Sequence, residues 1–167
     1  MTIMIEEREI IKDTALIVAK LMSSSAITAP KAKGRNNIQV RILDKKEELY
    51  QLAEEMEKLA PKYGSFFARD ADNVRSSDAV VLIGCKIIDF NIKQPEEIKY
   101  DINTVLSLVN LGIAIGSAVH IVSINNVDNR IMYTIGLAAQ KLYMKDSDIV
   151  FGIPLSIKGK NIYFDRK

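Results

Sequence analysis

Cysteine and histidine are nearly missing from this chain, which has one of each in 167 residues, Cys85 and His120. A single thiol excludes an internal disulfide and suits a reducing compartment, so a cytoplasmic location is expected. It also argues against an iron–sulfur or zinc site, which needs several thiolates or imidazoles at close spacing. No metal site is expected, and neither is a cysteine-built cluster. Charge of one sign is equally scarce. A net charge of +2 is too small to argue a nucleic-acid partner. Internal repeats and low-complexity tracts are absent. The opening MTIMIEEREI carries acid ahead of any apolar run and shows no cleavage-like site, unlike a signal peptide. Because 48% of the residues are hydrophobic, the chain is globular, and its length suits one domain over 1–167 with a sizeable core.

What is abundant is a nearly uncharged stretch, Asn103 to Val122, NTVLSLVNLGIAIGSAVHIV. On a helix Leu108, Gly112, Gly116 and His120 share one face, because they recur every fourth residue. Two glycines inside a helix cost roughly 1 kcal/mol each relative to alanine. A second backbone or a flat ligand lying close to the bare stripe offsets that cost. A membrane span is the rival reading, since small residues four apart also pack membrane helices. Asn103, Asn110, Ser117 and His120 interrupt the run, and Asn125 to Arg130 supply no positive-inside flank, so no membrane partner is expected. The stretch is read as a central buried helix. It is also more apolar than a domain of this size needs for its own core. A homodimer crossing at Gly112 and Gly116, with an interface of the obligate class, is the expectation.

In chain order, Ile5 to Ser23 reads as a helix ended by Ser23-Ser24-Ser25, with Ile10, Ala15, Leu16, Val18, Ala19 and Met22 near its inner stripe. Ile27 to Asn37 is a loop. Ile38 to Leu43 alternates as a half-buried strand. Asp44 and Glu47 form an acidic capping box for a helix over Lys45 to Ala60, stopped by Pro61 and Gly64. Ser65 to Ser77 is a short helix and turn pinned by Phe66 and Phe67. Asp78 to Ile87 is a strand buried on both faces, and Asp89 to Asp101 is a loop. After the central helix come a turn at Asn125 to Asn129 and a helix over Arg130 to Met144, with Ile131, Ile135, Ala138, Ala139 and Leu142 inward. A strand over Asp148 to Ile153, a loop over Pro154 to Lys160 and a short strand over Asn161 to Phe164 complete the chain. Without clean βαβ alternation, the class is α+β, with an antiparallel or mixed sheet flanked by helices around the long central one.

No catalytic set stands out. His120 reads as a core or interface histidine and Cys85 as an inert thiol at the end of a buried strand. The informative segments are basic. Lys31, Lys33, Gly34, Arg35, Asn36 and Asn37 join a helix to a strand. Their cations and amides suit a phosphate with a polar ring or sugar, and a solvated surface loop is the alternative. Ser156 to Asn161, with Lys158, Gly159 and Lys160, has the same ingredients. It lacks the spacing of a phosphate-binding P-loop, so nucleotide triphosphate hydrolysis is not indicated.

Five phrases, in order, resemble an uncharacterised prokaryotic family described as containing a ferredoxin domain. They are TAPKAKG at Thr28–Gly34, FFARDADNVRSSDAVVLIG at Phe66–Gly84, LGIAIGSAV at Leu111–Val119, NVDNRIMYTIGLAA at Asn126–Ala139 and GIPLSIKGKNIYFDR at Gly152–Arg166. That family's name comes from a cysteine-rich insert, which here is the short segment Cys85 to Asp101 with one cysteine. The resemblance therefore implies no iron–sulfur cluster in this chain. The remainder is similar to a nitroreductase-type flavin scaffold, through Ala29-Pro30, Gly112 with Gly116, and Gly152-Ile153-Pro154. Of the arginine–arginine–serine signature that such proteins carry at the start of helix one, only Arg8 is present. This similarity implies a homodimeric, FMN-dependent oxidoreductase passing hydride through the flavin to an acceptor. It implies that Lys31, Lys33, Gly34, Arg35, Asn36 and Asn37 face the flavin's phosphate, ribityl chain or pyrimidine edge. Lys158 and Lys160 would approach its phosphate or the N1 side of the ring. The alternative is a non-catalytic dimeric scaffold or binding protein that has lost its cluster and its flavin.

Overall fold

The computed structural model describes residues 4–164. The last two residues of the GIPLSIKGKNIYFDR phrase, Asp165 and Arg166, lie outside this range. Five helices and four strands follow one another as α1 (Glu7–Thr28), β1 (Ile38–Leu43), α2 (Lys46–Tyr63), α3 (Phe66–Arg75), β2 (Ala79–Cys85), α4 (Ile102–Ile124), β3 (Asp128–Asn129), α5 (Tyr133–Leu142) and β4 (Ile149–Ser156). The strands form one antiparallel sheet in the order β1-β2-β4-β3. Every residue of β2 is buried. Strand side chains alternate between faces, and here Ala79, Val81, Ile83 and Cys85 join a core with α1 and α4, while Val80 and Leu82 join a second core with α2, α3 and α5. The class is α+β, with helices on both faces of an antiparallel sheet.

The strongly periodic elements lie where the sequence places them, and the differences have local causes. Helix α1 does not stop at its serines but runs on to Thr28. The Ser23 hydroxyl donates to the Ala19 carbonyl (2.7 Å) and that of Thr28 to the Ser24 carbonyl (3.1 Å), so both are satisfied within the helix. Ser25 meets Ser117 of α4, hydroxyl to hydroxyl, at 2.6 Å. Ile10, assigned to the inner stripe, is exposed. At α2 the capping box sits one residue later than expected. The Lys45 amide donates to the Glu48 carboxylate (3.4 Å), and Pro61 is accommodated in the last turn before Gly64 at φ 123°. Only Phe67 pins α3; Phe66 stays partly exposed.

Helix α5 begins at Tyr133 rather than Arg130, because the preceding residues pair with the sheet. Asp128 and Asn129 form β3, and Met132 exchanges hydrogen bonds with Gly152 at 2.8 and 3.0 Å. Ile131 is consequently exposed. Strand β4 continues through Pro154 to Ser156. Gly152 directs its N–H toward Met132, and Pro154, two residues on, turns its nitrogen to the same edge, where no ladder bond is required. Asn161 to Phe164 is a turn, held by the Asn161 side-chain oxygen accepting from the Tyr163 amide (2.9 Å).

Helix α4 is capped by Asp101, whose carboxylate accepts from the Thr104 amide at 2.7 Å. Its 23 residues, with an 18-residue window of mean hydropathy 2.0, match a membrane span by length and composition alone. It is buried on one side only. Ser107, Asn110, Leu111, Ala114, Ala118 and Val122 face the chain, whereas Gly112 and Gly116 are exposed. The central helix is therefore half covered, with its glycine stripe outward, because α1 and the sheet occupy only its inner face.

Candidate functional site

The loop after α1 is tied inward. Lys31 lies at the C-terminal end of α1, and its ammonium donates to the carbonyls of Ala26, Ile27 and Ala29 at 3.0, 2.7 and 2.6 Å. A cation there satisfies orphan carbonyls and the helix dipole, and partial burial lowers its pKa. Lys33 and Gly34 follow in left-handed conformations, at φ 52° and 67°, which turns the chain toward β1. The Lys33 ammonium reaches the Phe90 carbonyl (3.0 Å) and the Arg35 guanidinium reaches that of Asp89. The Asn36 side-chain oxygen accepts from the Ile38 amide (3.1 Å). Asn37 is buried and donates to the Lys86 carbonyl (2.8 Å), while its oxygen accepts from Asn110 of α4 (2.9 Å). Asn110 in turn accepts from the Ala32 amide (2.8 Å). These residues thus hold the segment between β2 and α4, which is anchored by the fully buried Phe90.

The second basic loop lies at the other end of the sheet. Ile38, following Asn37, pairs with Cys85 at the end of β2, whereas Leu155 pairs with Ala79 at its start. Seven strand residues separate the two ends, roughly 20 Å. Within one chain, then, Lys31–Asn37 and Lys158–Lys160 do not converge. Lys158 donates to the Ser76 carbonyl, and the Ile157 amide donates to the Asp78 carboxylate (2.9 Å). Lys160 is exposed.

Asp78 forms one wall of a groove of about 810 Å³. The start of α1 supplies Glu6, Glu7, Arg8, Ile11 and Lys12, and the turn from β1 into α2 supplies Asp44 to Glu47. Two helix N-termini, each with unsatisfied amides and the positive end of a dipole, therefore open on one cavity. Lys46 is spent on the Ser77 carbonyl (3.1 Å). Arg8, Lys12 and Lys45 are exposed and have no side-chain partner among the described residues. The sequence singles out only Arg8 of these. Lys12 lies one turn after Arg8 on the same face of α1, and that spacing is the one signal that could have paired them.

Elsewhere, polar side chains are satisfied structurally. Buried Asp70 accepts from Nε and Nη2 of Arg69 (3.0 and 2.8 Å) and from the Thr134 hydroxyl (2.8 Å), the last of which ties α3 to α5. Burial, with Asp148 nearby, pushes the Cys85 thiol up to about 11, so it is a poor nucleophile near neutrality. His120 is exposed on the glycine face of α4. Among the described residues no group of His, Cys, Asp and Glu side chains is placed to hold a metal ion.

Residues 101–166 match the family described as "uncharacterized protein containing a ferredoxin domain" (DUF2148). An uncharacterized protein of Archaeoglobus fulgidus is 38% identical over 180 residues, spanning 98% of this chain and 97% of that one. The chain belongs to this family. Solved structures with the same fold include a nitroreductase family protein from Clostridium novyi NT, with a TM-score of 0.63 and 11% identity, covering 97% of this chain and 81% of that one. A nitroreductase with bound FMN from Desulfitobacterium hafniense gives 0.62 and 13%, covering 96% and 82%. The NADPH:FMN oxidoreductase of Vibrio harveyi, solved with NAD+, gives 0.60 and 11% over 96% of this chain, which spans 64% of that enzyme's length. At these identities the likeness is one of fold: this family member has a nitroreductase-like architecture.

Proposed function

We propose that the protein is a homodimeric, FMN-binding oxidoreductase of the nitroreductase type, with the groove beside α1 and α2 as its phosphate end. The observation that carries this reading is that two helix N-termini and three unengaged cations, Arg8, Lys12 and Lys45, open on one cavity beside the Lys158–Lys160 loop. These amides and cations suit a phosphate monoester, set against the five carboxylates Glu6, Glu7, Asp44, Glu47 and Asp78 that line the same cavity, and the volume lies in the range of small-molecule sites. A bound flavin supplies hydride transfer, so the protein needs no acid–base set of its own. The residues' share is to hold and orient the ligand and to place positive charge near it. A second copy belongs to the reading because the two basic loops lie at opposite ends of the sheet. The exposed face of the α1–α4 layer carries Ile17, Leu21, Leu108, Val109, Ile113 and Ile124, between 41% and 61% exposed. Two such faces packed together would cover an apolar patch larger than a monomer ordinarily leaves in water. They could also bring loop 31–37 of one copy toward the groove of the other. A dimer closed in this way accords with a cytoplasmic setting.

The test is titration of FMN into the purified protein, followed by flavin fluorescence and thermal unfolding. The expected result is saturable binding with a raised Tm, abolished by Arg8→Ala with Lys12→Ala. A protein whose Tm ignores FMN would end the reading.

One observation favours the alternative of a non-catalytic dimeric scaffold: Lys31, Lys33 and Arg35 are all spent on backbone carbonyls. Dimerisation without flavin binding would decide for it.

A further inference from the structure

We propose that the outer seam of α4 takes a second copy of this chain and that protonation of His120 releases it, so that the dimer is pH-sensitive. This deepens the homodimer reading above and rests on it. Leu108, Gly112, Gly116 and His120 lie outward on α4, one turn apart, with Ile113 and Ile124 beside them. From Ile102 to Ile124 the helix has no Asp, Glu, Lys or Arg, so His120 is the one ionisable side chain of the seam. The exposed apolar side chains of the α1–α4 layer leave on the order of 600 Å² uncovered, more than the apolar share of the ~800 Å² that one partner gives to a standard interface. Asp13 and Lys20 each lie a turn from Ile17 on α1, and both are exposed, which suits the wet rim of a protein interface and not lipid.

A two-fold axis between Gly112 and Gly116 sets the two α4 helices antiparallel, with His120 of one copy level with Leu108 of the other. Within a protomer α1 runs antiparallel to α4, since Ser25 meets Ser117 and Ala32 meets Asn110. The level of His120 is therefore that of Leu21 to Ser24, and the nearest charge on α1 is Lys20. Asp13 lies more than two turns away, and the Asp128 carboxylate of β3 accepts from Asn161 (3.0 Å). From β1 and β2 the residues on this side are apolar: Val40, Ile42, Val81 and Ile83. In the other copy, Leu108 is close to the level of loop 31–37, which carries the cations Lys31, Lys33 and Arg35. Asp89 beside that loop is held by the Asn91 amide (2.8 Å). An imidazole in water takes up a proton at about pH 6.5. An apolar seam flanked by cations disfavours the charged form. Protons therefore bind free protomers in preference, and assembly is lost as the pH falls.

The experiment is sedimentation of the intact chain at about pH 7.5 and about pH 5.5, a unit either side of free imidazole, beside His120→Gln and His120→Lys. His120 is the one histidine of the chain, so no other side chain of ordinary pKa titrates between these values. With one proton taken up per protomer, the wild-type dimer dissociation constant should rise about a hundredfold on acidification. His120→Gln is neutral throughout and should keep one constant at both values. His120→Lys is charged throughout and should be as weak at the higher pH as the wild type is at the lower. His120 is exposed in the protomer, so both variants should fold, which circular dichroism verifies. A wild-type constant that ignores pH, or a His120→Gln protein as pH-dependent as the wild type, overturns this inference and leaves the dimer standing. A chain monomeric at both values removes the dimer and the inference with it, and binding of that monomer to phosphatidylcholine vesicles would put lipid on the seam instead.

Discussion

Two pairs of glycines in this chain do opposite things. Gly136 of α5 and Gly152 of β4 sit where helix and sheet nearly touch. A Cβ on Gly136 would lie 1.8 Å from the Val150 carbonyl oxygen, and one on Gly152 would lie 2.0 Å from Ile135. Gly112 and Gly116 of α4 face open space, with nothing within 4 Å of an added Cβ. The first pair is explained by the chain's own packing, because close approach of α5 to the sheet needs backbone bare of side chains. The second pair weakens a helix and gains nothing within the chain. This helical glycine pair, set amid exposed leucine, valine and isoleucine, is what the proposed dimer would account for.

The comparison breaks most visibly at Gly136. Gly136→Ala drives a methyl group into backbone that cannot rotate away, an overpacking cost of about 3 kcal/mol or more. The expected outcome is a protein that unfolds at markedly lower denaturant or is not recovered folded, measured by urea unfolding. A Gly136→Ala protein as stable as the wild type would mean that α5 and β4 are not as close as described.

Gly116→Leu tests the other pair at the level of assembly. In the isolated protomer the new side chain has room, so secondary structure should hold and the monomer's urea midpoint should rise slightly, because leucine is a better helix former than glycine. At a helix crossing it cannot be accommodated, and a strain of about 3 kcal/mol, roughly a hundredfold in the dimer dissociation constant, should appear in sedimentation at low concentration. A wild-type protein that is already monomeric there would remove the dimer from the account.

The same contrast explains what could be read from the sequence. The four-residue period of α4 falls on its exposed side, whereas β1 and α2 are legible because one-sided burial imposes a period on their residues, and β2 because burial on both faces leaves an unbroken apolar run. The start of α5 is not, because the deciding interaction is a pairing of Met132 with Gly152, a contact between distant parts of the chain. The end of α1 is not, because serines read as stops when their partners are unseen, and Ser25 meets Ser117 ninety-two residues away. The basic loop 31–37 is visible as a cluster in sequence, yet its cations serve the fold. The groove that gathers free cations draws them from the start of α1 and the turn before α2, and each of them, taken alone, resembles a residue on a solvated helix face. Charge concentrated in sequence and charge concentrated in space select different residues here, and of the second basic loop Lys158 comes near the groove only through its bond to the Ser76 carbonyl, two residues before Asp78.

The smallest expected effect is the sharpest, because its sign is what matters. Gly112→Ala adds one methyl group to an exposed position of α4. If the helix stood alone in water, alanine would stabilise it by about 1 kcal/mol, the difference in helix propensity, with no clash to offset the gain. If a second backbone crosses there, the methyl holds the helices apart and the dimer loses contact along the whole seam. Unfolding at protein concentrations below and above the dimer dissociation constant separates the two contributions. The variant should be more stable than the wild type when dilute and less stable when concentrated. A gain of the same size at every concentration would leave Gly112 without a neighbour, and the two glycine pairs would then differ only in that one is needed and the other is not.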